Sequence, residues 1–330
     1  MRHVGGNETR RHVLVDGNNL LRRAYYVFVE NRLKCGEKPI VNRYGMPIGL
    51  IYGTLNLLSS WLHDLNLTKI SIFFDGKPMR RIAMDPDYKQ NNRTDLDVGE
   101  VVRLSDGTEF PNQILFISSV FRKLGCDIYW HPEEEADDLI ASVIHLDPEA
   151  IHIIISADSD FFQLVNNRTV VYRPGIPPPR LYDLERVGEY YMKKYGCQIL
   201  PKHIRMFKAF TGDPSDNIKG VPRLRKKAAF SLCDAENVDA AISTGMIHLS
   251  ATERSKLISL RNRINLNWEL IELKNNVDIK SCLMPAIPDF ADALNMCNDL
   301  NIPLDTTPFH VGSYAIDRNN ILVDDWLRDI

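Results

Sequence analysis

Aspartates in this chain recur where short apolar runs end. "HVLV" at His12–Val15 runs into Asp16-Gly17-Asn18-Asn19, and "KISIFF" at Lys69–Phe74 stops at Asp75-Gly76. "IHIII" at Ile151–Ile155 ends in Ser156-Ala157-Asp158-Ser159-Asp160. An apolar run closed by turn residues reads as a buried strand. Sites in open parallel sheets form beyond the carboxyl ends of the strands, so these runs would deliver Asp16, Asp75, Asp158 and Asp160 to one edge. Glu135 and Asp138 sit three apart at a helix start, on one face, with Asp137 beside them. Asp213 and Asp216 lie in a break that contains Gly212. Singly, each acid has an ordinary reading as a turn residue, a helix cap or a solvated charge. Together they form a crowd of like charges that repel at short range unless cations sit among them. An all-oxygen, mostly carboxylate donor set suits Mg²⁺ or Mn²⁺. Two such ions ~4 Å apart favour in-line attack at a phosphate.

The intervening segments must position these acids. Leu20–Val29, Ile48–Leu65, Phe110–Leu124 and Glu133–His145 carry helical patterns, and Cys126–Trp130 reads as a further strand. Strands alternating with helices predict an α/β fold, a parallel sheet with helices on both faces. From Leu184 onward the pattern turns mainly helical. The expected division is an α/β catalytic domain over 1–182, a smaller helical domain over 183–284 and a C-terminal extension over 285–330. Met1–Arg11 reads as a loose polar arm, and Pro177-Pro178-Pro179 as a rigid turn.

At 330 residues with 44% hydrophobic content, the chain can bury a sizeable core. No apolar run approaches the ~18–20 residues of a membrane span. The six cysteines are scattered without a C-x-x-C pair, which fits free thiols in a cytoplasm and gives a zinc site no support. The net charge of −3 is not that of a typical nucleic-acid binder. Setting aside the acids of the motifs above turns the balance positive, and bound cations would act where those acids gather.

At these residues the sequence resembles the 5′-nuclease (flap endonuclease) family, which includes the nuclease domain of bacterial repair polymerases and free-standing phage and cellular enzymes. The matching blocks are "LVDGNNLLRRAYYVF" (Leu14–Phe28), "GMPIGLIYGTLNLLSSW" (Gly45–Trp61), "FFDGKPMRRIAMDPDYKQNNR" (Phe73–Arg93), "EADDLIA" (Glu135–Ala141), "ISADSDFFQLV" (Ile155–Val165), "KYG" (Lys194–Gly196) and "TGDPSDNIKGVP" (Thr211–Pro222). They stand in the family's order over about residues 12–275. The resemblance implies a PIN-like nuclease fold with a helix–three-turn–helix DNA-binding domain. It implies metal-binding roles for Asp16, Asp75, Glu135, Asp137, Asp138, Asp158, Asp160, Asp213 and Asp216, with Asp16, Asp75 and Asp158 central to catalysis. Lys89, matching the lysine at the base of the family's arch, would offset charge at the scissile phosphate with help from Arg93. Arg23 and Tyr88 are expected at a phosphate and a base, with surface and packing roles as their alternatives.

Two departures stand out. Lys89-Gln90-Asn91-Asn92-Arg93 is one residue longer than the family's Lys-x-Asn-Arg, and the acidic segment Thr94–Glu109 with Asp106-Gly107 reads as a hairpin loop rather than an arch helix. After Pro222, Arg223-Leu224-Arg225-Lys226-Lys227 replaces the family's Gly-hydrophobic-Gly turn. Glycine's freedom is therefore not available there. Arg223, Arg225, Lys226 and Lys227, with Lys219, are positioned to bind duplex phosphates instead.

The implied protein is a monomeric, cytoplasmic two-metal hydrolase using Mg²⁺, with Mn²⁺ able to substitute, in a bacterial host if phage-encoded. Its substrates would be flapped, gapped or nicked DNA and RNA–DNA hybrids, in primer removal or repair. The tail "ILVDDWLRDI" at Ile321–Ile330 is expected to dock on the protein itself or on a replication protein. The alternatives are a PIN-type ribonuclease and a non-catalytic DNA-junction binder.

Overall fold

The structure is a computed structural model that describes residues 10–63, 65, 67–90, 101–175, 180–244 and 249–310. Arg93, the Pro177–Pro179 turn and the Ile321–Ile330 tail lie outside the described residues.

The first half alternates strands and helices. It runs β1 (Arg11–Asp16), α1 (Gly17–Tyr25), a π-helical turn (Tyr26–Glu30), α2 (Asn31–Lys34), α3 (Gly49–Leu62), β2 (Lys69–Phe74) and α4 (Met79–Met84). A short hairpin, β3 (Val102–Arg103) and β4 (Glu109–Phe110), precedes α5 (Gln113–Lys123), β5 (Asp127–Trp130), α6 (Ala136–Leu146), β6 (Ile151–Ile155), β7 (Thr169–Arg173) and β8 (Arg180–Tyr182). The hairpin expected around Asp106-Gly107 is present, with Gly107 at φ 88° in its turn. The second half is α7 (Leu184–Tyr195), α8 (Pro201–Thr211), the tiny strand pair β9 (Gly212–Asp213) and β10 (Ile218–Lys219), then α9 (Lys226–Phe230), α10 (Val238–Thr244), α11 (Ala251–Ser259) and α12 (Arg261–Ile271). The chain then returns to the sheet through β11 (Leu283–Met284), packs α13 (Phe290–Asp299) against α5, and ends its described part after a 3₁₀ turn (Thr307–Phe309).

The main sheet has the order β11-β5-β2-β1-β6-β7-β8. β5, β2, β1, β6 and β7 are parallel, and the edge strands β11 and β8 are antiparallel. β1 is central, and Val13, Leu14 and Val15 are wholly buried. Val13 and Val15 pack with α1, α3, α5 and α13 on one face, while Leu14 packs with α6, α8 and α12 on the other. This is the period-two alternation of a strand covered on both sides, which explains its unbroken apolar run. Because β2 and β6 flank β1 in parallel, Asp16, Asp75 and Asp158 leave the sheet at one edge. β7 and β8 were not apparent in the sequence.

The helix ends are specified locally. Asn112 caps α5 and Asp183 caps α7, which closes on Gly196 at φ 69°. Ser250 and Glu253 form a capping box on α11. The Gly212–Gly220 turn needs both glycines, since a Cβ on either would run into the other strand's backbone.

Candidate metal centre and nucleic-acid face

Asp16 ends β1 and caps α1. Its Oδ1 accepts from Asn19 N at 2.9 Å, and its Oδ2 accepts from Ser156 Oγ at 2.8 Å. Asp75 follows β2, and its Oδ1 accepts from Ala136 N at 2.8 Å, satisfying one of the unpaired first-turn N–H groups of α6 from another strand. Asn18 and Asn19 pin the neighbouring strand ends. The Asp75 amide donates to Asn18 Oδ1 at 3.0 Å, and the Ala157 amide donates to Asn19 Oδ1 at 3.1 Å. The sequence showed these asparagines only as turn residues. In the fold they tie the three aspartate-bearing loops together.

Glu135 comes from the start of α6, where it is buried beside Asp137. Lys89 Nζ lies 2.6 Å from Glu135 Oε1 and 3.6 Å from Asp216 Oδ1. The Tyr88 hydroxyl lies 3.2 Å from both Glu135 Oε2 and Asp216 Oδ2, joining the acids of α6 to those of the β9–β10 turn. Asp160, Asp213 and Asp216 offer carboxylate oxygens within 4.8 Å of one another. Lys208 of α8 bonds to Asp160 and Asp213. The structure therefore gathers Asp16, Asp75, Glu135, Asp137, Asp158, Asp160, Asp213 and Asp216 at one edge of the sheet.

Burial and crowding mark the electrostatics. Burial, reinforced by Asp75, raises the Asp16 carboxyl from 3.8 to about 7. Burial also raises Asp75 and drives Asp137 well above the carboxylate range, and it brings Asp216 to about 6. Glu135 and Asp213 go the other way, because Lys89 and Arg81 for the first and Lys208 for the second outweigh burial. Arg81, Lys89 and Lys208 thus neutralise only part of the cluster. The unbalanced remainder is all oxygen and mostly carboxylate, a donor set that fits a hard divalent cation.

Three sequence expectations change. Asp138 was expected to bind metal, but it is 1% exposed and both of its oxygens are taken. Oδ2 accepts from Arg81 Nη1 at 2.7 Å, and Oδ1 accepts from Arg81 Nη2 and from Lys274 N, each at 2.8 Å. Tyr88 was expected at a base or in packing, and the base reading falls: its ring is 5% exposed and its hydroxyl faces carboxylates, so it packs and has no open face for stacking. Arg225 was expected on a phosphate, but it forms a two-pronged pair with Glu253 at 2.8 and 2.7 Å. Glycine's absence did not remove the turn before α9, because Arg223 adopts φ 60° itself, a conformation costing about 1–2 kcal/mol for a residue with a Cβ. Lys219, Arg223, Lys226 and Lys227 are exposed on this side of the helical region. Arg23 leans on the β7–β8 loop, with Nη2 3.4 Å from Gly175 O.

Arg81 was not singled out from the sequence. It is 3% exposed, and its guanidinium meets Glu135 Oε2 at 2.5 Å, the Asp138 carboxylate, and the carbonyls of Leu270 and Glu272 at 2.9 and 2.6 Å. Its only local signal was its place inside the "FFDGKPMRR" block.

Comparison with known proteins agrees with this geometry. Residues 11–195 match the family model described as 5′-3′ exonuclease, N-terminal resolvase-like domain. The chain belongs to that 5′–3′ exonuclease family. It is 30% identical over 281 residues to the 5′-3′ exonuclease of Buchnera aphidicola subsp. Baizongia pistaciae, covering 81% of this chain and 83% of that one. It is 32% identical over 222 residues to DNA polymerase I of Mycobacterium bovis, where the match takes in 66% of this chain but spans only 22% of the polymerase. Among solved structures, the T5 5′-exonuclease with bound divalent zinc superposes with a TM-score of 0.57 at 19% identity, covering 89% of this chain and 99% of that one. The bacteriophage T5 flap endonuclease in a complex with DNA and metal ions gives 0.59 at 18% identity, covering 97% and 98%. At these identities the likeness speaks for the fold. No helix among the described residues is long and apolar enough to cross a membrane.

Proposed function

We propose that the protein is a structure-specific 5′-nuclease that hydrolyses phosphodiester bonds of DNA, and of RNA in RNA–DNA hybrids, with two Mg²⁺ ions. The supporting observation is the convergence of carboxylates from β1, β2, β6, α6 and the β9–β10 turn, with Asp16 raised to about 7 by burial and by the neighbouring Asp75. Asp16, Asp75, Glu135 and Asp137 would hold one ion, and Asp158, Asp160, Asp213 and Asp216 the other. Bound there, the ions would polarise a phosphate oxygen and acidify a water. The residues do the rest. Asn18 and Asn19 fix the strand ends that carry the aspartates. Tyr88 and Lys89 hold the two acid groups together, and the Lys89 ammonium supplies positive charge for a phosphate entering the site, with Arg93 assisting. Lys219, Arg223, Lys226 and Lys227 would hold the duplex by its backbone, so recognition would follow structure rather than base sequence. The relatives' names and titles agree with this reading, and a 5′ flap, a nick or a primer end is the substrate it favours.

The test is Asp158→Asn with a labelled flap substrate in Mg²⁺. The expected result is a loss of cleavage of at least about 100-fold, with duplex binding in Ca²⁺ retained. Near-normal cleavage would reject the assignment. Running blunt, gapped, flapped and primer-hybrid substrates beside single-stranded RNA then ranks the substrates. A preference for single-stranded RNA would overturn the DNA reading.

A further inference from the structure

Two lysines from different elements share one aromatic ring. Lys194, in the last turn of α7, places Nζ 5.1 Å from the centroid of the Tyr195 ring and 5.5 Å from that of Tyr190. Lys226, the first residue of α9, places Nζ 5.4 Å from the same Tyr195 centroid and 5.7 Å from that of Phe207. The platform is rigid, because Tyr195 stacks on Tyr191 at 6.0 Å and packs on the buried Phe207 at 5.3 Å. Both lysines are exposed. Unlike Arg225, which Glu253 neutralises, neither has an acidic partner among the described residues. Burial of its stem and the adjacent Lys194 hold Lys226 below the ordinary lysine value.

Two unneutralised ammoniums on one ring repel each other, as the clustered carboxylates do. The ring holds them by cation–π attraction and so reduces the side-chain freedom lost when they grip a ligand. What the arrangement lacks is an anion. Phe207 is followed on α8 by Lys208, which bonds to Asp160 and Asp213, so the pair lies a short way along α8 from the carboxylate cluster.

We propose that Lys194 and Lys226, seated on Tyr195, form a clamp for one backbone phosphate of the bound duplex. This carries the nucleic-acid contact from the turn before α9 onto the end of α7. The clamp rests on the nuclease reading above, since it needs a duplex lying across the helical region.

The measurement is duplex binding in Ca²⁺ as a function of salt, by anisotropy of a labelled nicked duplex. The proteins are the wild type, Lys194→Gln, Lys226→Gln and the double variant. Both positions are exposed, so melting should be unchanged. Each single variant should bind several-fold more weakly at low salt. The double variant should lower the slope of log affinity against log salt by about 0.9, the value for one phosphate. The wild type then loses roughly three- to fourfold more affinity than the double variant between about 50 and 200 mM salt. An unchanged slope overturns the clamp, and so does a drop near twice that size, which would mean two separate phosphates. Wild-type affinity in Lys194→Gln overturns it as well. Lys227→Gln separates the two levels. If it lowers the slope while the double Lys194/Lys226 variant does not, the duplex face stands and the clamp falls. If the wild type binds no duplex, the nuclease reading falls and takes the clamp with it.

Discussion

Arg81 shows how a single side chain can decide what its neighbours are able to do. All of its N–H donors point at acceptors: Leu270 O, Glu135, Asp138 and Glu272 O. It withdraws Asp138 from the metal-facing acids and holds Glu135 by one oxygen, leaving the other to Lys89. Arg81→Met would leave the buried Asp138 carboxylate without a cation and Glu135 with Lys89 as its one cationic partner among the described residues. Removing one partner of such a group costs about 3–5 kcal/mol, so denaturant unfolding should show a loss of that order. Arg81→Lys keeps the charge but loses the fork, which alone can serve two carboxylates and two carbonyls together, and should fall in between. Equal stability of Arg81→Met and wild type would mean that the pairing contributes nothing net. Tyr88 is a second case. Its neighbours in the sequence marked a nucleic-acid face, yet its ring went inward and only its hydroxyl reaches the site.

At the level of elements, the Gly212–Gly220 turn carries two of the site acids. β9 and β10 are each two residues long and pair only with one another, so the turn's shape depends on how closely their backbones approach. In Gly220→Ala the new methyl would meet the Thr211 and Gly212 backbone, which cannot step aside as a flexible side chain can. The expected cost is about 1–3 kcal/mol, with Asp213 and Asp216 displaced together. Calorimetry should therefore show weakened Mg²⁺ binding, and unaltered binding with unaltered melting would contradict the role given to the turn. The strands that bear Asp16, Asp75 and Asp158 were legible in the sequence because a central parallel strand is apolar throughout and its end is punctuated by Asp, Gly or Asn. The pairing of Arg81 with Glu135 and of Lys208 with Asp160 was not legible, because a charge leaves no local pattern that names a partner some fifty residues away. β8 was hidden for a related reason: an edge strand of three residues, Arg180–Tyr182, is too short to show a period.

Across the whole molecule, the sheet edge and the helical region close around a cluster with more negative charge than its own cations balance, and this ties stability to pH and metal. Asp16 keeps its proton in the fold up to about 7, whereas the unfolded chain releases it near 3.8. Between those values the metal-free native state binds more protons than the unfolded one, so this contribution to stability falls as pH rises. Asp216, at about 6, acts in the same sense over a narrower window. Glu135 and Asp213 are held below their ordinary values, so their favourable contribution is lost only in acid below those values. The buried His12 and His152, both lowered chiefly by burial, shift the baseline oppositely as they give up charge, but they lie off the metal site and cancel when samples with and without metal are compared at each pH. A divalent ion takes the place of the proton, so its benefit should grow as the proton leaves. Melting in EDTA and in excess Mg²⁺ should differ little at pH 5 and markedly at pH 8, by an amount worth about 2–3 kcal/mol. A difference that is the same at both values, or larger at pH 5, would mean that the carboxylates are balanced without metal.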